Sequence, residues 1–397
     1  MNPQLRFREF EGEWVEKKLG KIADLTSSKR VYSSDYVETG VPFFRGKEIT
    51  ELRQNIQPKE ILFITNKRFD EFKQKYGAPK QNDILITAVG TLGNAYRVQV
   101  EYDFYFKDGN LIWLRNIKEN PAYLEQLLNL NRNELIKVSI GSTQKALTII
   151  ELNKVGFNIP SIPEQTKIAT FLTTVDKRIS LLKKKKAELE RYKKGVMQRL
   201  FNGKVIMENG ELEFTPPTLR FRDDNGNDFP DWEEKRLEEV ADITTGNSNR
   251  QDSGLDGEYA FFDRSEDIRT SSIYLFDGEA VIVAGEGSEF APKYFAGKFD
   301  LHQRTYAIMN FNQSNGKFLF YYIYCFRNYF LSQAVGSTVK SLRLPMFQKM
   351  KIKLPSIPEQ QKIADFLSSI DKSIDKLSSQ IDESLQFKKG LLQKMFV

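Results

Sequence analysis

The sequence predicts an α+β protein made of two mixed globular domains and two long helices, and three observations support this class. Residues 160–201 return as residues 355–396 without a gap, and 21 of the 42 paired positions are identical. Both copies have the apolar spacing of a long helix. The segments that precede them share an opening, a closing loop and several strand-like stretches. A period of 195 residues is too long for a solenoid unit, so the repeat indicates duplication of a whole module.

The first domain is predicted to span residues 1–159. Its opening at Trp14 indicates a short helix or turn that leads into a strand. Asn120 followed by Pro121 predicts a capped helix, because Asn is a good cap and Pro suits the first helical position. Strand-like stretches bounded by turn residues lie at residues 41–46, 61–64, 83–90, 111–115 and 155–159. A loop at residues 141–147 precedes the final strand.

The first long helix is predicted at residues 160–203. Pro163 suits the first helical turn, and Glu164 favours the positive end of the helix dipole. Apolar residues at spacings of four and three form a heptad seam, which Lys186 and Lys193 interrupt. The seam comprises Ile168, Leu172, Val175, Ile179, Leu182, Leu189, Val196 and Leu200. Such a seam requires a partner helix.

Residues 204–219 have glycine, proline and charge but little apolar periodicity, which predicts a linker. Residues 220–354 then repeat the pattern of the first domain. Trp232 corresponds to Trp14, Phe261 corresponds to Phe43, and the loop at residues 336–342 corresponds to the loop at residues 141–147. The two domain sequences match at their beginnings and ends but not between them, so the domains are expected to share a scaffold and present different surfaces.

The second long helix is predicted at residues 355–397. Ser384 and Lys388 interrupt its seam, which comprises Ile363, Leu367, Ile370, Ile374, Leu377, Ile381, Leu391 and Met395. Polar seam positions are expected to fix the helix register or to contact a partner subunit. Gly195 and Gly390 occupy matching helical positions where glycine is unfavourable, so we expect a close backbone approach at both.

Composition excludes several classes of protein. No apolar run approaches the length of a membrane span and the N-terminus lacks a signal-peptide pattern, so we expect a cytoplasmic protein. The single cysteine, Cys325, cannot form an internal disulfide, and the single histidine, His302, cannot form a histidine cluster. The net charge of +6 is a weak indication of an anionic partner. The lysine-rich part of the first long helix is interpreted as a solvated face, with a path along phosphates as the alternative.

The usual catalytic constellations are not found in the sequence. His302 has no sequence-suggested partner for a nucleophile, and the glycines near Gly90 and Gly285 are interpreted as strand-ending turns rather than phosphate loops. The stretch at Asn120 resembles the Asn-Pro-Pro-Tyr loop of amino-methyltransferases but lacks the second proline, so a helix cap is favoured. We assign no catalytic residue and no metal ligand.

The order of domain, Ile-Pro-Glu-Gln helix, domain and Ile-Pro-Glu-Gln helix resembles the specificity subunit of type I restriction-modification systems. The matching motifs are the Ile-Pro-Glu-Gln-x-Lys-Ile-Ala starts of the helices, their Lys-Lys-Gly-x-x-Gln-x-x-Phe ends at residues 193–201 and 388–396, and the Trp-x-Glu-Lys-x-Leu openings of the domains. The resemblance covers essentially the whole chain.

This resemblance implies two target recognition domains, each recognising one half of a bipartite site in double-stranded DNA, and two spacer helices packed as an antiparallel coiled coil with a pseudo-twofold internal repeat. It implies that two methyltransferase subunits and, through that complex, restriction/translocase subunits supply the catalysis. S-adenosylmethionine, ATP and Mg²⁺ are then expected on those partners and no cofactor on this chain. The source would be a bacterium or archaeon.

Residue type and loop position predict which side chains contact DNA. In the first domain these are Arg45, Lys47, Ser142, Thr143 and Lys145, and in the second they are Arg264, Arg304, Ser337, Thr338, Lys340 and Arg343. A solvated surface role is the alternative for each of them. The seam residues, Gly195 and Gly390 are nominated as the helix–helix or subunit interface.

Two other functions remain open from the sequence. A standalone methyltransferase or nuclease would show turnover by the isolated chain. A coiled-coil scaffold without DNA specificity would show no salt-dependent affinity for duplex DNA.

Overall fold

The computed structural model describes residues 3–54, 56–202, 204–208, 211–215, 217–254 and 256–396. Gly203 at the predicted end of the first long helix, residues 209, 210 and 216 of the predicted linker, and Val397 lie outside the described residues. The chain forms two compact units, one of Met1–Leu182 with Gln380–Val397 and the other of Lys183–Ser379.

The first part of the chain is a mixed α/β fold that leads into a long helix. Its helices are α1 (Leu19–Ile22), α2 (Gly46–Arg53), α3 (Asn66–Tyr76), α4 (Pro121–Leu130), α5 (Arg132–Lys137), α6 (Ile149–Leu152) and α7 (Ile162–Phe201). Its strands are β1 (Val15–Lys18), β2 (Asp24–Thr26), β3 (Tyr36–Val37), β4 (Val41–Phe44), β5 (Leu62–Ile64), β6 (Ile84–Thr87), β7 (Ala95–Arg97), β8 (Tyr105–Phe106), β9 (Leu111–Arg115) and β10 (Gly156–Ile159).

Two four-stranded sheets form the interior of the first unit. One has the order β2-β9-β6-β7 and is antiparallel, and the other has the order β3-β5-β4-β8 with β4 and β8 parallel. The opening strand β1 pairs antiparallel with β10, with Val15 opposite Ile159. The start and the end of this domain are therefore joined immediately before α7 begins.

The second part begins with a hairpin of β11 (Lys204–Glu208) and β12 (Glu211–Thr215), which lies in the segment predicted to be a linker. The remaining strands are β13 (Glu233–Arg236), β14 (Asp242–Thr245), β15 (Tyr259–Phe262), β16 (Arg269–Ser271), β17 (Phe276–Ala284), β18 (Lys293–Leu301), β19 (Thr305–Met309) and β20 (Lys351–Leu354). The helices are α8 (Gly316–Phe326), α9 (Asn328–Gln333), α10 (Leu344–Gln348) and α11 (Ile357–Met395).

One six-stranded sheet, in the order β14-β19-β17-β18-β15-β16, forms the interior of the second unit. Strand β13 pairs antiparallel with β20, with Glu233 opposite Leu354, and this repeats the closure of the first domain. The two domains therefore share their closing strands but differ in the sheets between them.

Each core contains segments of both long helices. In the first unit, Ile168 and Leu172 of α7 share one apolar cluster with Leu391 and Met395 of α11. In the second unit, Val196 and Leu200 of α7 share a cluster with residues of α11, which include Ile363, Leu367 and Ile370. The helices have 40 and 39 residues, close to the predicted length. No described helix is long and apolar enough to cross a membrane.

Candidate nucleic-acid interface

Both units carry an exposed loop where the sequence predicted one, and the two loops close in the same way. Ile140 and Ala146 exchange backbone hydrogen bonds of 2.9 and 2.8 Å, and Val335 and Ser341 exchange bonds of 3.0 and 2.8 Å. The loop tips are exposed and contain the predicted DNA-contacting residues Ser142, Thr143, Lys145, Ser337, Thr338 and Lys340.

A glycine at the start of each loop makes the tight turn possible. Gly141 has φ 105° and Gly336 has φ 117°. A Cβ atom would lie 2.3 Å from the carbonyl oxygen of Gln144 in the first loop and equally close to that of Val339 in the second. Both positions therefore require glycine.

The loops are attached to the turns that follow the buried strands β6 and β17. The amide of Leu147 donates to the carbonyl of Ala88 at 2.9 Å, and the amide of Leu342 donates to the carbonyl of Gly285 at 2.7 Å. Gly93 closes the first turn by donating to the Thr87 carbonyl at 2.8 Å. The interpretation of these glycines as strand-ending turns is confirmed.

Arg45 lies directly after β4 and is held by a carboxylate. Its Nη2 is 2.5 Å and its Nε 3.1 Å from Oε1 of Glu48, which is fully buried. The hydrogen bond to Glu48 raises the pKa of the Arg45 guanidinium. A cavity of about 540 Å³ lies beside this arginine and is also lined by Thr87, Gly90 and Asn110. The pair fixes the orientation of Arg45 and leaves guanidinium hydrogens for a ligand.

Arg264 and Arg304, which are far apart in sequence, converge on Glu286 in the second unit. Arg264 Nη1 lies 3.7 Å from Glu286 Oε2, and Arg304 Nη1 forms a short hydrogen bond to Glu286 Oε1. The Glu286 side chain is 16% exposed, whereas the arginines are 58% and 63% exposed. The backbone of Glu286 also forms an antiparallel β-bridge with that of Ser341, so the two arginines and Glu286 lie beside the second loop.

Lys293 fixes the backbone that follows Arg264. Its Nζ donates to the carbonyl oxygens of Ser265 and Glu266 at 2.6 and 2.8 Å, and burial lowers the pKa of this lysine.

Lys47 and Arg343 lie at the surface. Lys47 Nζ is 3.2 Å from Glu60 Oε2, and both side chains are largely exposed, so this ion pair contributes little stability. Arg343 is exposed and precedes α10 as its cap residue.

The Pro-Glu-Gln motif has a structural role at the start of each long helix. Glu164 accepts two hydrogen bonds of 2.8 Å from Arg6, and Glu359 accepts bonds of 3.0 and 2.8 Å from Arg220. Both carboxylates are almost completely buried. Arg6 and Arg220 each begin an Arg-Phe-Arg stretch, at residues 6–8 and 220–222, so the repeated glutamate has a repeated partner.

The adjacent glutamines attach the long helices to the domain helices. Gln165 Oε1 accepts from the Asn120 amide at 2.9 Å, and Gln360 Oε1 accepts from the Asn315 amide at 2.8 Å. Asn120 in turn caps α4 by accepting from two backbone amides. The helix-cap interpretation of this stretch is therefore confirmed.

The predicted seam residues of both helices are buried or partly buried throughout, from Ile168 to Leu200 and from Ile363 to Met395. The expectation for Gly195 and Gly390 is wrong. A Cβ atom at either position would meet no described heavy atom within 4 Å, the flanking residues and the helix's own nearby backbone aside. These glycines therefore do not mark a close backbone approach.

The described residues offer no group of three or more His, Cys, Asp or Glu side chains arranged to hold a metal ion. His302 accepts a hydrogen bond at Nδ1 from the Arg304 amide at 3.1 Å. Burial raises the pKa of the Cys325 thiol to about 12, which disfavours the nucleophilic thiolate.

The model of the type I restriction modification DNA specificity domain matches residues 11–191 and 230–386. The chain belongs to this family. A putative type I restriction enzyme specificity subunit of Haemophilus influenzae, S.HindORF215P, is 30% identical over 155 residues. That alignment covers 39% of this chain and 38% of the relative, so this chain matches less than half the length of that relative.

Solved structures related to this specificity family have the same fold. The S subunit of a type I restriction-modification system from M. genitalium superposes with a TM-score of 0.65 at 14% identity, covering 100% of this chain and 99% of that one. A second structure, which concerns complex assembly and conformational transition of the type I R-M system, gives a TM-score of 0.54 at 18% identity and covers 98% of both chains.

Three residues that sequence reasoning missed organise the candidate interface: Glu48, Glu286 and Lys293. Each holds a predicted arginine or the backbone beside it. A carboxylate three residues after Arg45 was a detectable signal, because that spacing suits a capping box. Glu286 and Lys293 had no comparable signal, since they approach Arg264 only through the sheet.

Proposed function

We propose that this chain is the non-catalytic DNA specificity subunit of a type I restriction-modification complex, and that each domain recognises one half of a bipartite site. The observation that carries the proposal is the pair of domains with identical closure and equivalent exposed loops but different sheets between them. Closing strands and loops that are the same in both domains suit attachment to equivalent partners. Sheets that differ between the domains suit the recognition of different base sequences.

The long helices are proposed to form an antiparallel coiled coil with a pseudo-twofold axis. Within the first unit the start of α7 packs with the end of α11, and within the second unit the end of α7 packs with the start of α11. These contacts support opposite chain directions. A helix of 40 residues is about 60 Å long, which suits two half-sites separated by unrecognised base pairs.

DNA contact is proposed at the loop tips and at the carboxylate-held arginines. A guanidinium paired with glutamate is partly neutralised and therefore attracts phosphates less. Its N–H groups that do not contact the glutamate keep a fixed direction. That geometry favours bidentate contact with guanine over non-specific phosphate contact. Lys145 and Lys340, which are exposed, are proposed to contact phosphates and position the loops.

Catalysis is proposed to come from two methyltransferase subunits and from restriction/translocase subunits that join through them. S-adenosylmethionine, ATP and Mg²⁺ would then be bound by those partners, in the cytoplasm of a bacterium or archaeon. The family membership and the second solved structure, which concerns assembly of the type I complex, support this assignment.

The test is to combine the chain with its methyltransferase partner and to map methylated bases by sequencing. We expect methylation at one split sequence, and methylation without sequence preference would contradict the proposal. Turnover by the isolated chain would favour a standalone enzyme. Lack of salt-dependent affinity for duplex DNA would favour a scaffold.

A matched pair of substitutions tests the arginine contacts. Arg264→Ala is expected to relax sequence preference at a position of one half-site, at a cost of about 1–3 kcal/mol of discrimination. Arg236→Ala is the control, because Arg236 is also 58% exposed and lies 3.7 Å from a glutamate oxygen, that of Glu238. Equal effects of the two substitutions would contradict a specific role for Arg264.

A further inference from the structure

Two of the lysines that interrupt the seams, Lys193 and Lys388, form ion pairs with aspartates of the other long helix. Lys193 Nζ lies 2.5 Å from Asp371 Oδ1 in the second unit. Lys388 Nζ lies 2.6 Å from Asp176 Oδ1 in the first unit. The four side chains are between 21% and 38% exposed, so these pairs are partly shielded from solvent.

The two ion pairs are the same interaction made twice. Lys193 and Lys388 are separated by 195 residues, and so are Asp176 and Asp371. Within each copy of the repeat the lysine follows the aspartate by 17 positions. Each helix thus supplies one lysine and one aspartate, which is the arrangement required for reciprocal pairing of antiparallel helices.

A residue of the neighbouring domain helix holds each aspartate from its second oxygen. Tyr321 Oη on α8 donates to Asp371 Oδ2 at 2.6 Å, and Gln126 Nε2 on α4 donates to Asp176 Oδ2 at 3.5 Å. Tyr321 and Gln126 are also 195 positions apart. We define the sets Lys193–Asp371–Tyr321 and Lys388–Asp176–Gln126 as the two clamps.

The other two seam interruptions make different contacts. Lys186 Nζ lies 3.8 Å from Glu190 Oε1, and Ser384 Oγ donates to the Gln380 carbonyl at 2.7 Å, so both interact within their own helix. Cross-helix pairing is therefore a property of Lys193 and Lys388 and not a general result of polar residues in the seam.

An apolar heptad seam alone tolerates a shift of one heptad, because knobs then meet equivalent holes. Such a shift would separate both lysines from their aspartates. Lys193 would then lie opposite Ser378 or Ala364, and Lys388 opposite Lys183 or Ala169, so neither cation would regain a carboxylate. The loss of both partly buried ion pairs is unfavourable. The clamps therefore distinguish one register from its neighbours, which the seam residues do not.

We propose that the two clamps select the register of α7 against α11 and thereby determine the number of base pairs between the half-sites. This inference rests on the proposed function. A shift of one heptad displaces the helices by about 10 Å, which corresponds to about three base pairs of duplex at 3.4 Å per step. Lys193, Asp371, Lys388 and Asp176 are thus positioning residues for sequence recognition.

The test is a charge-swap cycle in the full chain: Lys193→Asp, Asp371→Lys, and the double variant. Both single variants are expected to lower the thermal unfolding midpoint of the isolated chain by about 2–6 °C, and the double variant is expected to recover most of the loss. With the methyltransferase partner, the single variants should also methylate sites whose spacing differs from the wild-type spacing, and the double variant should restore one spacing.

Lys186→Ala and Lys193→Ala form the matched control, since both remove a lysine from the seam of the same helix. Only Lys193→Ala is expected to lower the midpoint and relax the spacing. Single swaps without effect, or a double swap that recovers neither property, would overturn the inference. If the wild-type complex methylates no split site, the proposed function fails, whereas the midpoints of the isolated chain still decide whether the clamps pair as described.

Discussion

The repeat provides an internal comparison at the scale of single residues. Tyr123 and Phe318 occupy equivalent positions 195 residues apart, and both are almost completely buried. Tyr123 stacks on Phe396 with ring centroids 5.2 Å apart, and its hydroxyl has no hydrogen-bond partner among the described residues. Burial raises the pKa of Tyr123. The second domain avoids this buried hydroxyl by using phenylalanine.

We therefore predict that Tyr123→Phe raises the free energy of unfolding by about 1 kcal/mol, because it removes a buried polar group that lacks a partner. The control is Tyr322→Phe, since the Tyr322 hydroxyl accepts a hydrogen bond from the Lys353 amide at 3.1 Å. That change is expected to cost about 1 kcal/mol. Urea unfolding measures both, and a loss of stability in Tyr123→Phe would contradict the prediction.

A second residue-scale prediction concerns the pH dependence of stability at Glu48. Burial by itself raises the pKa of Glu48, but hydrogen bonds from the Arg45 side chain and backbone outweigh burial and lower it. A carboxylate whose pKa is lowered on folding stabilises the protein above its unfolded pKa. This contribution is lost as the pH falls through the folded-state pKa.

Glu48→Gln should accordingly reduce stability at pH 7 and flatten the loss of stability below about pH 4.5. Glu71→Gln serves as the control, because Glu71 forms an exposed ion pair with Arg68 and should change the profile little. Equilibrium unfolding between pH 3 and 7 provides the measurement. Parallel profiles for wild type and Glu48→Gln would show that the Arg45 pair does not stabilise the fold.

The same scale shows why the candidate interface was only partly predictable. Residue type and loop position identified Arg264 and Arg304, and the structure brings both to Glu286. Their common carboxylate was missed because the equivalent turn of the first domain carries Val89, which forms the same backbone bridge to its loop, so the repeat gave no signal for a glutamate there. Pairing of three residues through a sheet is a spatial relation that spacing along the chain does not encode.

At the scale of elements, the periodic features were predicted well and the irregular ones were not. Heptad spacing and the Pro-Glu start located α7 and α11, and the Asn-Pro cap located α4. Helix α8 was missed because nearly all residues of its aromatic run are apolar, and such a run does not distinguish a buried helix from a buried strand. Gly195 and Gly390 were misinterpreted because a matching position in a repeat records common ancestry as readily as common packing.

The open surroundings of these glycines give an element-scale prediction. Gly195→Ala and Gly390→Ala should each stabilise the protein by about 1 kcal/mol, because alanine restricts the unfolded chain and has the higher helix propensity. The two changes lie in different units and should be additive. Denaturant midpoints of the single and double variants would measure this, and destabilisation would indicate a partner surface that requires the missing side chain.

At the scale of the whole molecule, duplication was predictable but the two interiors were not. Identical motifs define the beginning and end of each domain, and the structure closes both by the same pairing of strands, β1 with β10 and β13 with β20. Between those ends, one domain has two four-stranded sheets and the other has one of six strands. Strand order depends on long-range pairing, which local sequence patterns do not specify.

The duplication also predicts the behaviour of one half. A fragment that ends near Gly203 retains Asp176 and Lys193, which are the equivalents of Asp371 and Lys388. Two copies could therefore form both ion pairs reciprocally. We expect a dimer in analytical ultracentrifugation and, with the methyltransferase, methylation of a palindromic split site. A fragment that stays monomeric at high concentration would count against antiparallel pairing.

The contribution of residues 391–396 to the core of the first unit has a consequence for synthesis of the protein. Leu391, Met395 and Phe396 pack with Ile168 and Leu172, yet they are translated about 190 residues after α7 ends. At about 5–20 residues per second, this interval lasts roughly 10–40 s. During that time the nascent first domain exposes the apolar face that α11 later covers. The domain made first on the ribosome is thus among the last to complete its core.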